Sequence, residues 1–403
     1  MKFLMGVAFA VVVFGSPLAG AQAGPGAPVV RPLASPAGEA TGEANLARHA
    51  DGSLYLSWVA HQGEDTTALV LSRLTLDTSW SKPVTVARGA DWFVNWADFP
   101  AVAATENGIV TASWLEKVGG DTYAYDIRAA RSRDGGLSWG MPFALHDDTS
   151  ATEHGFVSLT ALAAGQIGAV WLDGREMVRE NGPMTLRFAQ IGADGAIRDS
   201  HLLDGRVCDC CQTSSALTGD GTLVVVYRDR SDTEVRDISI ARRAAGQWTA
   251  PAAVCNDGWK IDGCPVNGPS VTARDSLVAV AWFTMGTQDS ARVNVAFSSD
   301  NGATFGTPIT VDGGSPIGRT DIAILDPNTA IVVWLEKKDD EAAIMARTVA
   351  SSGETSAPTL VALTSSSRAS GFPRIENFGD GVVVVWTDVN EGSRVKTALV
   401  GPE

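Results

Sequence analysis

The chain has 403 residues, 45% of them hydrophobic, and carries 46 acidic against 31 basic side chains for a formal charge of −15. That balance excludes nucleic acid and anionic membrane surfaces as partners, because both require a basic footprint. It leaves room for an anionic ligand held by a local group of arginines.

In chain order the first feature is Lys2, then an apolar run from Phe3 to Phe14, then small residues ending Ala21-Gln22-Ala23. This is the layout of a secretory signal peptide over residues 1–23. The run is too short to cross a bilayer, and no later window approaches the ~20 apolar residues of a transmembrane helix. The sequence therefore reads as an exported protein of the periplasm or extracellular space. Residues 24–403 read as one domain, since closed repeat architectures of this size form a single unit.

From residue 54 onward a short apolar strand ending in an aromatic residue recurs seven times. The copies are Leu54–Trp58, Ile109–Trp114, Ile167–Trp171, Leu223–Tyr227, Leu277–Trp282, Ala330–Trp334 and Val382–Trp386, with aromatic positions 56, 57, 56, 55, 52 and 52 apart. A period near fifty residues is that of a propeller or a solenoid. In the second repeat, Asp98–Ala104 reads as a strand, Glu106-Asn107-Gly108 as a hairpin turn, Ile109–Trp114 as the second strand, Tyr125–Arg131 as the third and Pro142–His146 as the fourth. The expectation is an all-β, seven-bladed propeller of four-stranded antiparallel blades, with a six-bladed ring as the alternative. The last repeat supplies three strands, so the apolar stretch Ala27–Leu33 is expected to complete its blade and close the ring.

Two stretches between third and fourth strands share the pattern Ser-x-Asp-x-Gly-x-Ser/Thr-aromatic: Ser132, Asp134, Gly136 and Trp139 in one, Ser298, Asp300, Gly302 and Phe305 in the other. Asp accepts amide hydrogen bonds of its own turn, Gly takes positive φ, and the aromatic closes the loop onto the sheet. Each loop offers one carboxylate, too few for a calcium cage. The pattern resembles the Asp-box, or bacterial neuraminidase repeat, of the sialidase superfamily. The resemblance implies a sialidase-like propeller with these loops as staples on the face opposite the functional one.

On that functional face the topology collects His61, Asp98, Glu116, His154, Asp173, Arg175, Arg228, Asp229, Arg230, Arg319, Asp321, Glu336 and Asp388. As the resemblance implies, a sialidase clamps its substrate carboxylate with three arginines, attacks with a glutamate-activated tyrosine and uses an aspartate as acid/base. The clamp would fall to Arg175, Arg228 and Arg319, and the acids to Asp98, Asp173 or Glu336. The family's aromatic-Arg-Ile-Pro sequence is replaced by Phe372-Pro373-Arg374-Ile375. Of the four tyrosines, Tyr227 takes a packing position, Tyr55 lies mid-strand, and Tyr123 and Tyr125 flank the third strand of blade two, so none reads as a nucleophile. The expected role is binding of a small molecule or glycan, or of a partner protein, without sialidase activity. An exo-sialidase-like glycoside hydrolase is the enzymatic alternative.

All five cysteines lie between Cys208 and Cys264, in the loops entering blades four and five. Two disulfides with one spare thiol, for example Cys255 and Cys264 each to one of the first three, are one reading. The other is a soft-metal site for copper or zinc built from Cys208, Cys210, Cys211, Cys255 and Cys264 with Met285 as a thioether donor, or a redox-active thiol.

Overall fold

The structure, a computed structural model, describes residues 25–402 apart from positions 64 and 340, so the segment 1–23, expected to be a signal peptide, lies outside the described residues. Seven antiparallel sheets follow one another around a central channel. Blades one to six span residues 41–89, 102–144, 154–204, 214–255, 270–310 and 316–364, and blade seven combines 374–401 with Val29–Leu33. Among the described residues the helical pieces are three short 3-10 turns.

The N-terminal strand pairs with the C-terminal one as expected, Val29 opposite Gly401 and Leu33 opposite Thr397. Both ends of the described chain therefore meet in one sheet, and no blade is left with a missing strand. This short N-terminal strand covers the edge of the longer Arg394–Gly401 strand.

Each aromatic of the repeat is buried where neighbouring blades stack, with Trp171, Trp282, Trp334 and Tyr227 all but inaccessible. The polar atom on such a ring needs a partner once buried. Trp171 Nε1 donates to Asp173 at 2.8 Å, Trp334 Nε1 to Glu336 at 2.6 Å, Trp282 Nε1 to Asp257 at 2.7 Å, and the Tyr227 hydroxyl to Asp204 at 2.6 Å.

Where the inner strands meet, hydrogen bonds cross every blade boundary. Asn45 Nδ2 donates to the Pro100 carbonyl at 3.0 Å, Phe156 N to Asp98 at 2.7 Å, Thr213 Oγ1 to the Phe156 carbonyl at 2.7 Å and Val271 N to Ser214 Oγ at 3.1 Å. Ser270 Oγ donates to Asp321, Ile375 N to the same carboxylate at 2.8 Å, and Arg374 Nε to Asn45 at 3.3 Å, which returns to blade one. The result is a closed belt around the channel. Bulges at the tops of three inner strands, where Glu43, Phe156 and Arg319 take positive φ of 49, 53 and 53°, turn side chains toward the loops above.

The two Ser-x-Asp loops share one hydrogen-bond pattern on the opposite face. Asp134 accepts from Ser132 Oγ at 2.7 Å and Ser138 N at 2.9 Å, and Asp300 from Ser298 Oγ at 2.7 Å and Thr304 N at 2.9 Å. These bonds hold both carboxyls down at about 2. Gly136 and Gly302 have φ of 90 and 76°, and each lies against the preceding blade, where an added Cβ would stand 2.9 Å from Leu71 and 3.0 Å from Ile240. Blade two's inner strand is shorter than expected, Val102–Ala104, because Asp98 and Pro100 leave the ladder to serve the belt.

Candidate functional site

The loops entering first strands and leaving second strands share the face opposite the Ser-x-Asp loops, and the predicted ring residues gather there. Most are already spoken for by the protein. Arg175 forks onto Asp173, Nε to Oδ1 at 2.7 Å and Nη2 to Oδ2 at 2.9 Å, and reaches Asp147 at 3.0 Å. Arg228 is 1% exposed and donates only to backbone carbonyls, of Asn267, Arg236 and Phe283 at 2.6 to 2.9 Å, with its guanidinium 4.8 Å from the Trp259 ring centre. Arg319 donates to Ser370 Oγ and the Gly371 carbonyl, both at 2.9 Å, and lies over Trp96; burial pulls it down to about 10.

Each of the three guanidiniums is thus engaged by groups of the protein itself. Asp98 and Asp321 belong to the belt, while Asp173 and Glu336 receive the buried tryptophan N–H groups. The candidate acids thus have structural partners. Outside these networks His61 is exposed, Glu116 meets Arg128 at 3.2 Å, Asp229 accepts from Arg230 N at 2.7 Å, and Asp388 from Asn390 N at 3.1 Å.

Sequence reasoning missed Glu153, and it undervalued Tyr125. The Tyr125 hydroxyl donates to Glu153 Oε1 at 2.6 Å and stands 3.4 Å from Asp98 Oδ2. Burial raises the Glu153 carboxyl to about 7, against the opposing effect of the phenol hydrogen bond, and burial raises Asp98 as well. Phe93 stacks on Tyr125 with ring centres 4.1 Å apart and meets Tyr123 edge-on at 6.1 Å. Tyr123 is 59% exposed. A carboxyl–phenol pair thus borders an accessible aromatic surface at the junction of blades two and three. The available signal was the Gly155 that follows: its Cα packs so closely on Asp98 that an added Cβ would stand 2.0 Å from Oδ2.

On the outer side of Tyr125, His146 and His154 stack at 4.1 Å and 12° within reach of Asp126, Asp148 and Asp173. Asp126, His146 and His154 place ligand-type atoms within 4.8 Å of one another. Imidazole lone pairs lie in the ring plane, so an ion in the plane of one stacked ring falls well outside the plane of the other. This cluster does not fit a bis-histidine metal.

In the neighbouring sector the five thiols are free. Cys208 Sγ lies 3.1 Å from Cys211 Sγ and 4.0 Å from Cys210 Sγ, and Arg236 Nη1 donates to Cys208 Sγ at 3.3 Å. Against burial, which raises it, hydrogen bonds from Cys210 and Cys211 and the charge of Arg228 hold the Cys208 thiol well below its usual range. Cys264, on the loop entering blade five, is exposed. Cys255 ends the outer strand of blade four opposite Ile238, and Met285 packs on the core between blades five and six. The outer strand carries Cys255 away from the loop that holds Cys208, Cys210 and Cys211.

No family model matches the chain, and no curated protein does. Among solved structures, an ulvan lyase of polysaccharide lyase family PL25, bound to -[GlcA(1-4)Rha3S]-, superposes with a TM-score of 0.58 at 13% identity over 95% of this chain and 96% of that one. The likeness is one of fold alone. The GH93 α-L-arabinofuranosidase of Fusarium graminearum, solved with arabinobiose, gives 0.52 at 14% identity over 81% and 98%. A Hadza microbial sialidase, Hz136, gives 0.47 at 15% over 73% and 63%. The chain has a propeller fold of the kind found in glycan-active enzymes.

Proposed function

We propose that this is an exported glycan-binding propeller whose ligand lies across the blade-two and blade-three loops, and that it does not cleave sialosides. The observation that carries the reading is the exposed Tyr123 ring set against Phe93 beside the Tyr125–Glu153 pair. Sugars present apolar C–H faces that stack on aromatic rings and hydroxyls that donate to carboxylates, and this surface offers both. With Arg175, Arg228 and Arg319 each engaged internally, a sialic acid carboxylate has no clamp. Affinity electrophoresis through gels carrying uronate-containing, neutral and sialylated polysaccharides tests the reading. Retardation by at least one of the first two is expected, lost in Tyr123→Ala; equal mobility of wild type and variant in every gel overturns it.

A second reading, glycoside hydrolysis, is favoured by one observation: Glu153 and Asp98 both lie within reach of a single phenol oxygen, and both carboxyls are raised. Paired carboxyls of this kind supply the acid and base that glycosidic cleavage needs. Release of reducing ends from the bound polysaccharide, abolished in Glu153→Gln while binding persists, would establish it.

A further inference from the structure

We propose that Cys208, Cys210 and Cys211 form a thiolate site for a cuprous ion. Three sulfurs of one tetrapeptide lie within 4.8 Å of one another. Sulfurs sharing one d10 ion in a tetrahedral shell sit about 3.8 Å apart for metal–sulfur bonds near 2.3 Å. The 4.0 Å between Cys208 and Cys210 meets that spacing as it stands, and the 3.1 Å between Cys208 and Cys211 needs a small opening.

The surroundings suit a thiolate-rich centre. Arg236 donates to Cys208 Sγ at 3.3 Å, so positive charge stands against the sulfurs without competing as a ligand. The loop is fixed before any ion arrives. Cys208 N donates to the Arg228 carbonyl at 3.0 Å, and the Gln212 side chain bridges the Ala97 carbonyl at 2.6 Å and Gly268 N at 2.9 Å. Such anchoring spares the ordering cost that a flexible thiol segment would bear on binding. Cys208 and Cys211 are buried and Cys210 is half-buried, which leaves one side open for the ion to enter.

An all-sulfur set of three donors, with no histidine or carboxylate among them, selects the softest common ion, Cu(I). Binding replaces S–H bonds by S–Cu bonds and releases one proton to solvent for each thiol engaged, with no change of oxidation state. Copper therefore binds more weakly as pH falls.

The test uses the full chain, reduced and kept anaerobic, with Cu(I) supplied as its coloured bicinchoninate complex. Loss of colour to one equivalent of protein is expected, with retention at least ten-fold weaker in Cys210→Ser and unchanged in Cys255→Ser and Met285→Leu. Cys264→Ser, at an exposed position, should fold normally and weaken binding less than Cys210→Ser. The proposal is overturned if the chelator keeps its copper against the wild type, or if Cys255→Ser loses as much as Cys210→Ser. Mass spectrometry of protein from exporting cells that finds Cys208 and Cys211 joined as a disulfide also overturns it.

Discussion

Replacing Glu153 by Gln should raise stability at alkaline pH and leave it unchanged at acid pH. In the fold burial lifts the Glu153 carboxyl to about 7 from its ordinary 4.5, so the folded state holds a proton that the unfolded chain releases. Between these values the native state binds more protons, and stability falls as pH rises from 4.5 through 7. A rise of this size corresponds to about 3 kcal/mol between pH 4.5 and 8. With an unfolding entropy of about 2.1 cal/mol/K per residue, a fold of this length gains or loses about 4 °C in Tm for that energy. Glutamine cannot titrate, yet its carbonyl still accepts the Tyr125 hydroxyl. Glu43 and Glu376, which burial also lifts to about 7, titrate in both proteins and cancel in the difference. Thermal unfolding of wild type and Glu153→Gln at pH 5 and pH 8 should give coincident transitions at the lower pH and a variant about 4 °C more stable at the higher. Parallel pH profiles would refute the buried-carboxyl argument.

Trp171→Phe should cost about 2–4 kcal/mol in urea unfolding, because Asp173, itself inaccessible, loses its N–H donor and a small cavity opens. Arg228→Met should cost about 3–5 kcal/mol by the same measurement, since the buried carbonyls of Asn267, Arg236 and Phe283 lose their donors; a stable variant with weakened ligand binding would instead restore the clamp reading. Gly155→Ala places a methyl against Asp98 and should cost about 1–3 kcal/mol, seen as a shift of the urea midpoint at constant slope.

Much of the fold was legible because the repeat aromatic has one job in every blade, and a constant job leaves a constant spacing. The N-terminal strand was legible by subtraction, since the seventh repeat came one strand short. The same regularity gives Asp173 and Glu336 a partner that loop position alone does not reveal. Each follows its tryptophan by two residues, which places it on the ring's own side of the strand as its hydrogen-bond partner, a pattern that looks like a ring of functional acids when only loop position is weighed. Tyr125–Glu153 was invisible for a different reason. It joins a third strand to the loop before the next blade's first strand, and its alignment rests on the bulge at Phe156. Cys255 and Cys264 are equivalent by sequence spacing, and only the strand pairing of Cys255 with Ile238 separates them.

The meeting of Val29–Leu33 with Thr397–Gly401 sets an order of events in folding. For a random chain, bringing residues 29 and 401 together costs about 5 kcal/mol of entropy. Once the intervening blades have stacked, the two ends are neighbours and most of that cost has already been met, so the first strand of the chain docks last. Until it does, the Arg394–Gly401 strand is paired only with Gly381–Asp388 and its other edge is open. A second molecule at high concentration can offer its own Val29–Leu33 to that edge, making strand-exchanged dimers the characteristic error of refolding.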